Sequence, residues 1–434
     1  MNELYVRAGS LYLPILAALA AGLHRRPSAK RLTGCLLGFL WALTSLVLLQ
    51  RLNALCGWWS FSAADDVWFC GMPLELYLGW AVLWGVAPQL LFRRMPLLAV
   101  VAVMTCLDLI FMPLCAPVVR LGPAWLLGEA AALAMVLFPA LAVARWTAEG
   151  THLNLRAAAQ IVISGALFLL LLPEVAFAMR PGRGWGALLA MPRWRMQLVV
   201  QAICLLALPG VSAVMEFARR GNGTPLPFDA PRRMVTSGVY RYIANPMQAS
   251  CALTMLAWSA VLHSGWYALG AALALVYSVG LASWDEHADL NQRFGAEWRS
   301  YRTQVKDWRV RWRPYHAGAP ARLYIARTCG PCSELRRWIE ARQPLGLELI
   351  DAETLERGSI RRMRYDPADG TECVDGVRAL ARALEHLNAG WAYCGAMLRL
   401  PGIWQMVQLA MDASGLGPRE LCAPEDVAPT AELR

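Results

Sequence analysis

The chain has 434 residues, of which 57% are hydrophobic and only 17% charged, against about 25% charged residues in ordinary soluble domains. Its mean hydropathy is +0.38. The formal net charge of +10 does not point to nucleic acid, because the arginines sit in short loops between apolar runs, where they orient a protein in a bilayer. The deficit of charge is uneven: long stretches before residue 285 hold almost no charge, whereas the last 150 residues read as soluble protein. A membrane region followed by a globular domain is the expected organisation.

A span needs about 20 mostly apolar residues. Nine stretches meet that need: 9–24, 32–50, 72–92, 95–117, 123–145, 157–179, 196–217, 246–263 and 266–284. The first carries no small-residue cleavage site and reads as a retained helix. Basic residues follow the first span (Arg25, Arg26, Lys30, Arg31), the third (Arg93, Arg94) and the fifth (Arg145, Arg156). With the N-terminus outside, these loops share the cytoplasmic side, and an odd number of spans puts the C-terminal domain there too. One loop, with Arg180, Arg183, Arg193 and Arg195, breaks the pattern, and its centre reads as an interfacial segment. The expected location is a bacterial inner membrane.

Several cysteines (Cys35, Cys106, Cys115, Cys204 and Cys251) lie inside apolar runs as small hydrophobes. In the loop 51–71, Cys56 and Cys70 flank a Trp-rich stretch with Asp65 and Asp66. Their spacing is compatible with a disulfide and equally with two separate thiols. Three acids, Asp108, Glu129 and Glu174, fall within spans. Acids at membrane depth usually face a partner or a polar cavity, and Asp108 and Glu129 stand on consecutive spans. A transporter using all three is one functional class this admits.

The stretch from Gly221 to Tyr301 is the richest in polar detail. It opens Gly221-Asn222-Gly223-Thr224-Pro225-Leu226-Pro227-Phe228-Asp229 and runs on through Ser237-Gly238-Val239-Tyr240-Arg241-Tyr242-Ile243-Ala244-Asn245-Pro246-Met247. Two spans joined at His263-Ser264-Gly265 follow, then Trp284-Asp285-Glu286-His287, and Phe294-Gly295-Ala296-Glu297-Trp298 with Tyr301 closes it. The Gly- and Pro-rich opening cannot continue a helix. The two spans form a hairpin that returns Glu286 to the side of Tyr240 and Asn245. Carboxylates, amides and aromatic faces gathered in this way suit a cationic cofactor.

This segment resembles the isoprenylcysteine carboxyl methyltransferase and phospholipid methyltransferase superfamily. The resemblance rests on the Gly-x-Gly-Thr-Pro-x-Pro opening, the Gly-x-Tyr-Arg…Asn-Pro stretch and the acidic residue before Phe-Gly-x-x-Trp-x-x-Tyr. It implies S-adenosylmethionine (SAM) as methyl donor, bound by Tyr240, Arg241, Asn245, Pro246 and Glu286, with His287 beside them. Glu286 or His287 would accept the proton of the methyl acceptor, an apolar or lipidic small molecule entering from the bilayer, a thiol among the candidates. The sequence departs from the family pattern at Ala244, Gln248, Ser250 and His287, which opens the alternative of a scaffold that no longer binds SAM.

After Pro314, Ala317-Gly318-Ala319-Pro320 reads as a short linker. A strand at Leu323–Ala326 leads into Cys329-Gly330-Pro331-Cys332, which opens an amphipathic helix through Arg342 with Leu335, Trp338 and Ile339 on one face. A second strand, 347–350, a hairpin from Arg362 to Val374 turning at Asp369-Gly370, and helices at 377–387 and 403–411 give a β-α-β-β-β-α order. A cysteine at a helix N-terminus meets backbone N–H groups and the positive dipole end, both of which favour a thiolate. Cys329 is therefore the expected nucleophile and Cys332 the resolving thiol. Metal ligation would need a second Cys/His pair, and Cys373, Cys394, Cys422 and His386 are scattered.

The pattern resembles the thioredoxin fold, and more closely the Asp-Cys-Cys family of thiol-disulfide oxidoreductases. Ile325-Ala326-Arg327-Thr328 replaces that family's usual approach to the cysteines, and no proline opens the strand expected to face them. The fold class expected for the whole is a polytopic α-helical membrane protein of about nine spans with a C-terminal α/β thioredoxin-like domain. Its parts are N-terminal spans over 1–150, a methyltransferase-like core over 151–315 and the redox-type domain over 321–422. A membrane methyltransferase coupled to a thiol-disulfide module is the leading expectation, with a membrane-anchored thiol-disulfide oxidoreductase as the alternative.

Overall fold

The computed structural model describes residues 3–62, 68–179, 184–225, 231–355 and 360–418. Asp65, Asp66, Arg180, Arg183, Leu226 to Asp229 and Cys422 lie outside the described residues, and of Glu286 only the backbone is described. Among the described residues, seven helices are long and apolar enough to cross a membrane: α1 (Glu3–His24), α2 (Ala29–Cys56), α3 (Leu74–Leu91), α4 (Leu97–Cys115), α5 (Trp125–Glu149), α6 (Leu153–Ala178) and α7 (Arg193–Gly221). Two shorter apolar helices, α8 (Pro246–Leu262) and α9 (Gly265–Gly280), coincide with the last two expected spans. The protein is thus a helical membrane protein by the length and composition of its helices.

The chain divides into two compact units: Met1–Val200 with Gly221–Arg232 and Met255–Ala271, and Gln201–Arg220 with Arg233–Thr254 and Ala272–Arg434. In the first unit, small residues let helices touch backbone to backbone. A Cβ on Gly38 of α2 would stand 2.6 Å from the carbonyl oxygen of Gly85 in α3, and one on Gly79 would stand 2.0 Å from that of Ser10 in α1. Leu46, Leu76, Tyr77, Trp84, Val136 and Leu141 fill the interior between these helices. Helices α5 and α6 each widen by a π-turn, at Leu133–Leu137 and Leu167–Leu171, just ahead of Pro139 and Pro173. A proline lacks the N–H that would close the regular turn before it.

Outside the helices, β1 (Trp59–Phe61) pairs antiparallel with β4 (Val119–Leu121), and β2 (Trp68–Phe69) with β3 (Met72–Pro73). No bond joins Cys56 to Cys70. Cys56 is exposed at the end of α2, and the Cys70 thiol instead lies 3.6 Å from Arg51 Nη2. The three Arg-bearing loops meet at one end of the unit. Arg93 donates to the carbonyl of Arg25, Arg31 to that of Gln89 at 3.1 Å, and Arg145 to those of Met95 and Phe92 at 2.8 and 3.3 Å. Of the acids of the spans, Glu174 binds Arg51, while Asp108 Oδ2 and Glu129 Oε1 are shielded from water with no hydrogen-bond partner among the described residues.

In the second unit, α10 (Ser283–Gln304) is broken at Gly295, whose φ of 52° only glycine adopts readily. A four-stranded sheet follows in the order β6-β5-β7-β8. Strand β5 (Ala321–Ile325) is parallel to β6 (Leu347–Asp351) and antiparallel to β7 (Arg364–Asp366), which pairs antiparallel with β8 (Val374–Asp375). Helix α11 (Gly330–Glu340) connects the parallel pair, and α12 (Val377–Leu384), α13 (Ala389–Leu398) and α14 (Ile403–Met411) complete the unit. Leu323, Ile339, Tyr365, Ala379 and Ala383 form its core.

Helix α13 is absent from the sequence expectation. Gly390 and Gly395 blur its pattern, yet Asn388 caps it by accepting the Trp391 N–H at 3.1 Å. Gly395 earns no turn; it lets α13 approach α12, since a Cβ there would sit 2.4 Å from the carbonyl oxygen of Ala381. The stretch ahead of the expected linker is fixed by main-chain bonds: Ala244 N–H to Lys306 O, Arg311 N–H to Tyr242 O, Tyr315 N–H to Arg241 O and Ala389 N–H to Trp312 O, at 2.8–3.0 Å. Residues 233–254 and 272–301 therefore share one compact unit with the sheet.

Candidate functional site

Strand β5 delivers the chain from the core to the cysteines. Leu323 and Ile325 are fully buried, and the turn after them is pinned by Glu353. One Glu353 oxygen accepts the backbone N–H groups of Arg327 and Thr328 at 2.8 and 3.0 Å and the Thr328 hydroxyl at 2.9 Å. Burial opposes charge on Glu353, but these donors outweigh it and hold the carboxyl below its ordinary range. Cys329 is the residue that caps α11, its carbonyl accepting the Ser333 N–H at 2.9 Å. Pro331 fits the first turn, where its missing N–H leaves no bond unmade.

Both cysteines are half-buried among Ala326, Ala352, Leu355 and Ile360. They open onto an apolar cavity of about 290 Å³ whose walls include Leu335, Ile360, Met363, Met411 and Leu416. Met363, the residue before β7, lines this cavity with the two cysteines. The far wall is held by a polar chain of its own. Gln408 Oε1 accepts the Val377 N–H at 3.0 Å, its Nε2 donates to Asp412 at 2.9 Å, and Asp412 accepts from Arg362 Nη2 at 2.6 Å. Gly376 permits this seat, because a Cβ there would lie 2.2 Å from Gln408 Oε1.

The residues singled out between Tyr240 and Tyr301 lie elsewhere. Tyr240 is buried with its ring 5.2 Å from that of Phe217, and its carbonyl accepts the Tyr301 hydroxyl at 2.7 Å. Arg241 Nη1 donates to the carbonyl of Tyr315 at 3.2 Å. Pro246 starts α8, and the carbonyl of Asn245 accepts the Ala249 N–H at 3.1 Å. The kink at Gly295 turns Trp298 and Tyr301 onto Ala244 and Tyr315. His287 lies 5.8 Å from the Trp298 ring and 3.6 Å from Asp307. Trp298 and Tyr301 thus pack beside the Tyr240–Pro246 strip, while the walls of the cysteine cavity include none of these residues. The amide nitrogen of Asn245 and the amide oxygen of Gln248 are shielded from water and have no hydrogen-bond partner among the described residues.

A comparison with protein-family models, with curated proteins and with solved structures finds no match to this chain.

Sequence reasoning missed the most heavily charged place in the unit. Glu216, near the end of α7, is buried with Arg382 Nη1 at 2.7 Å, Arg399 Nη1 at 2.5 Å, the Ser237 hydroxyl at 2.8 Å and Arg220 Nε at 3.4 Å. Glu385 completes the network, accepting from Arg382 at 3.1 Å, from Arg399 at 2.8 Å and from the Gly238 N–H at 3.2 Å. Gly238 is required twice over: its φ is +60°, and a Cβ would meet Glu216 Cγ at 2.8 Å. Nearby, a polar cavity of about 240 Å³ is lined by Arg220, Arg241, His316 and Asp369 among others. Buried His386 joins the sheet to its helices, Nδ1 meeting the carbonyl of Leu345 at 2.9 Å and Nε2 the Tyr365 hydroxyl at 3.0 Å. The carbonyl can only accept, so the proton is on Nδ1 and Nε2 accepts from Tyr365. Burial, and then the charge of Arg241, hold this imidazole well below its ordinary value.

Proposed function

We propose that the protein is a membrane-embedded thiol-disulfide oxidoreductase whose reacting atoms are the Sγ atoms of Cys329 and Cys332. The observation that carries this reading is the pair's place in the first turn of α11, half-buried and facing an apolar cavity. Residues three apart on a helix are neighbours, so a disulfide between Cys329 and an incoming sulfur lies within reach of Cys332. A thioredoxin-like assignment is supported by the sheet order, with the Cys-Gly-Pro-Cys helix linking the central strand to its parallel neighbour. In the reaction, the Cys329 thiolate displaces one thiolate from a substrate disulfide, and the Cys332 thiolate then displaces the other, leaving an oxidised pair. The meeting of the three Arg-bearing loops supports a cytoplasmic end for them, and with it a cytoplasmic C-terminal domain, a compartment where paired cysteines are more often catalytic than structural.

A redox titration tests this. Full-length protein in detergent is equilibrated in thiol-disulfide buffers between about −320 and −120 mV, alkylated and weighed. The expected result is a two-electron transition confined to Cys329 and Cys332. Alkylation of the pair that does not change across the range contradicts the reading.

A second reading, SAM-dependent methyl transfer to an apolar acceptor, is favoured by one observation: the partnerless amide atoms of Asn245 and Gln248. Buried polar atoms call for a partner, and an amide donor and acceptor beside the Tyr240 turn fit a nucleoside. Tyr240, Asn245 and Gln248 would hold the cofactor, which supplies the methyl group when bound. Calorimetric titration with SAM is expected to show binding that Asn245→Leu weakens; no heat with the wild-type chain rules this reading out.

A further inference from the structure

Most of the hydrogen-bonding atoms of Gln408 and Arg362 on the wall of the cysteine cavity are engaged by the protein itself, Arg362 Nε being without a partner among the described residues. Gln408 is bonded at both ends of its amide, to the Val377 N–H and to Asp412, and Arg362 is paired with Asp412. Apart from Arg361, Arg362 and Gln408, the wall around the two thiols is hydrocarbon and thioether, from Ile325, Leu335, Ile360, Met363, Met411 and Leu416 among others. A substrate carrying charged or amide groups would lose their hydration here without recovering hydrogen bonds from these apolar side chains. The volume of about 290 Å³ lies at the lower end of the range for small-molecule sites. The segment from Gln408 to Gly417 supplies one wall, so the room beside the thiols is bounded by the chain's own residues rather than left clear for a peptide.

Resting on the oxidoreductase reading, we propose that this site takes small apolar disulfides in preference to peptide disulfides. The balance is complete without a further reactant. The reduced pair and R–S–S–R give the Cys329–Cys332 disulfide and two R–SH, each exchange forming one S–S bond and breaking another, with the two protons of the pair passing to the released thiolates.

The test is a single-turnover experiment with the full chain in detergent, reduced and freed of reductant. Diphenyl disulfide and glutathione disulfide are offered separately, oxidation of the pair is followed by alkylation, and each rate is divided by that of dithiothreitol in the same micelles. The normalised rate for diphenyl disulfide is expected to exceed that for glutathione disulfide by about tenfold or more, the discrimination one apolar group gives in a hydrophobic pocket. Leu416→Asp and Met411→Asp should each bring this ratio down towards one; because the micelles are the same, partitioning of the reagent cancels. Equal normalised rates in the wild-type chain, or a ratio that neither substitution changes, overturn the preference and leave the oxidoreductase reading standing. Failure of both reagents to oxidise the pair overturns the two together.

Discussion

Two acids lie buried near the ends of apolar helices, and they are held in different ways. Glu174 in α6 is bound by one cation, Arg51, through Nε at 2.6 Å and through Nη2, and by the indole N–H of Trp185 at 2.7 Å. The Arg51 side chain keeps 43% of its surface exposed, so water shares its charge. Glu216 in α7 has no such outlet: Arg382 and Arg399 are 7% and 8% exposed and are divided between it and Glu385. The first arrangement is a local pair in a bundle whose interior is mostly apolar contact between small and large residues. The second ties a helix end, the Ser237–Gly238 turn and two helices of the C-terminal sheet region into one unit. A pair can be lost with modest consequence, whereas removing one member of a closed network strands the rest.

The largest effect should therefore come from Glu216→Gln, which leaves Arg382 and Arg399 buried with one carboxylate between them. A loss of about 3–5 kcal/mol is expected, read as a fall in unfolding temperature in detergent, with new protease cleavage near residues 317–320. Glu174→Gln should cost only about 1 kcal/mol, as for other water-screened pairs. Equal losses for the two substitutions would erase the contrast.

A smaller effect is expected with pH. His386 is buried as a neutral imidazole, so below an unfolded value of about 6.5 the unfolded chain takes up a proton that the folded one refuses. Stability at this residue is complete above that pH and declines as pH falls, by up to about 1.4 kcal/mol per unit. Comparing unfolding temperatures at pH 7.5 and 5.5, His386→Gln should show a shallower acid decline than the wild type; identical slopes would remove His386 from the explanation.

Legibility in the sequence follows the range of the interactions. The spans could be read because hydropathy is local, and seven of nine meet a full span's length while Pro246–Leu262 and Gly265–Gly280 fall short of it. The Cys329–Cys332 turn and the Asp369-Gly370 hairpin were equally local signals. Glu216 and its arginines are separated by 166 and 183 residues, and nothing near Glu216 announces them beyond an acid four residues before Arg220. Helix α13 was hidden by glycines whose purpose, close approach to α12, exists only in the folded chain. The stretch 317–320 reads as a linker from composition alone, because the main-chain bonds that fix the segment before it involve residues 241–244 and 389.

The most direct test of the dithiol chemistry is a trap. With Cys332→Ser, the first exchange can occur and the second cannot, so full-length protein mixed with diphenyl disulfide should accumulate a phenylthio adduct on Cys329, found by mass after digestion. The wild-type chain should carry no lasting adduct and instead gain the internal disulfide. An adduct on Cys329 that persists equally in both chains, or none in either, would contradict a resolving role for Cys332 and with it the proposed reaction.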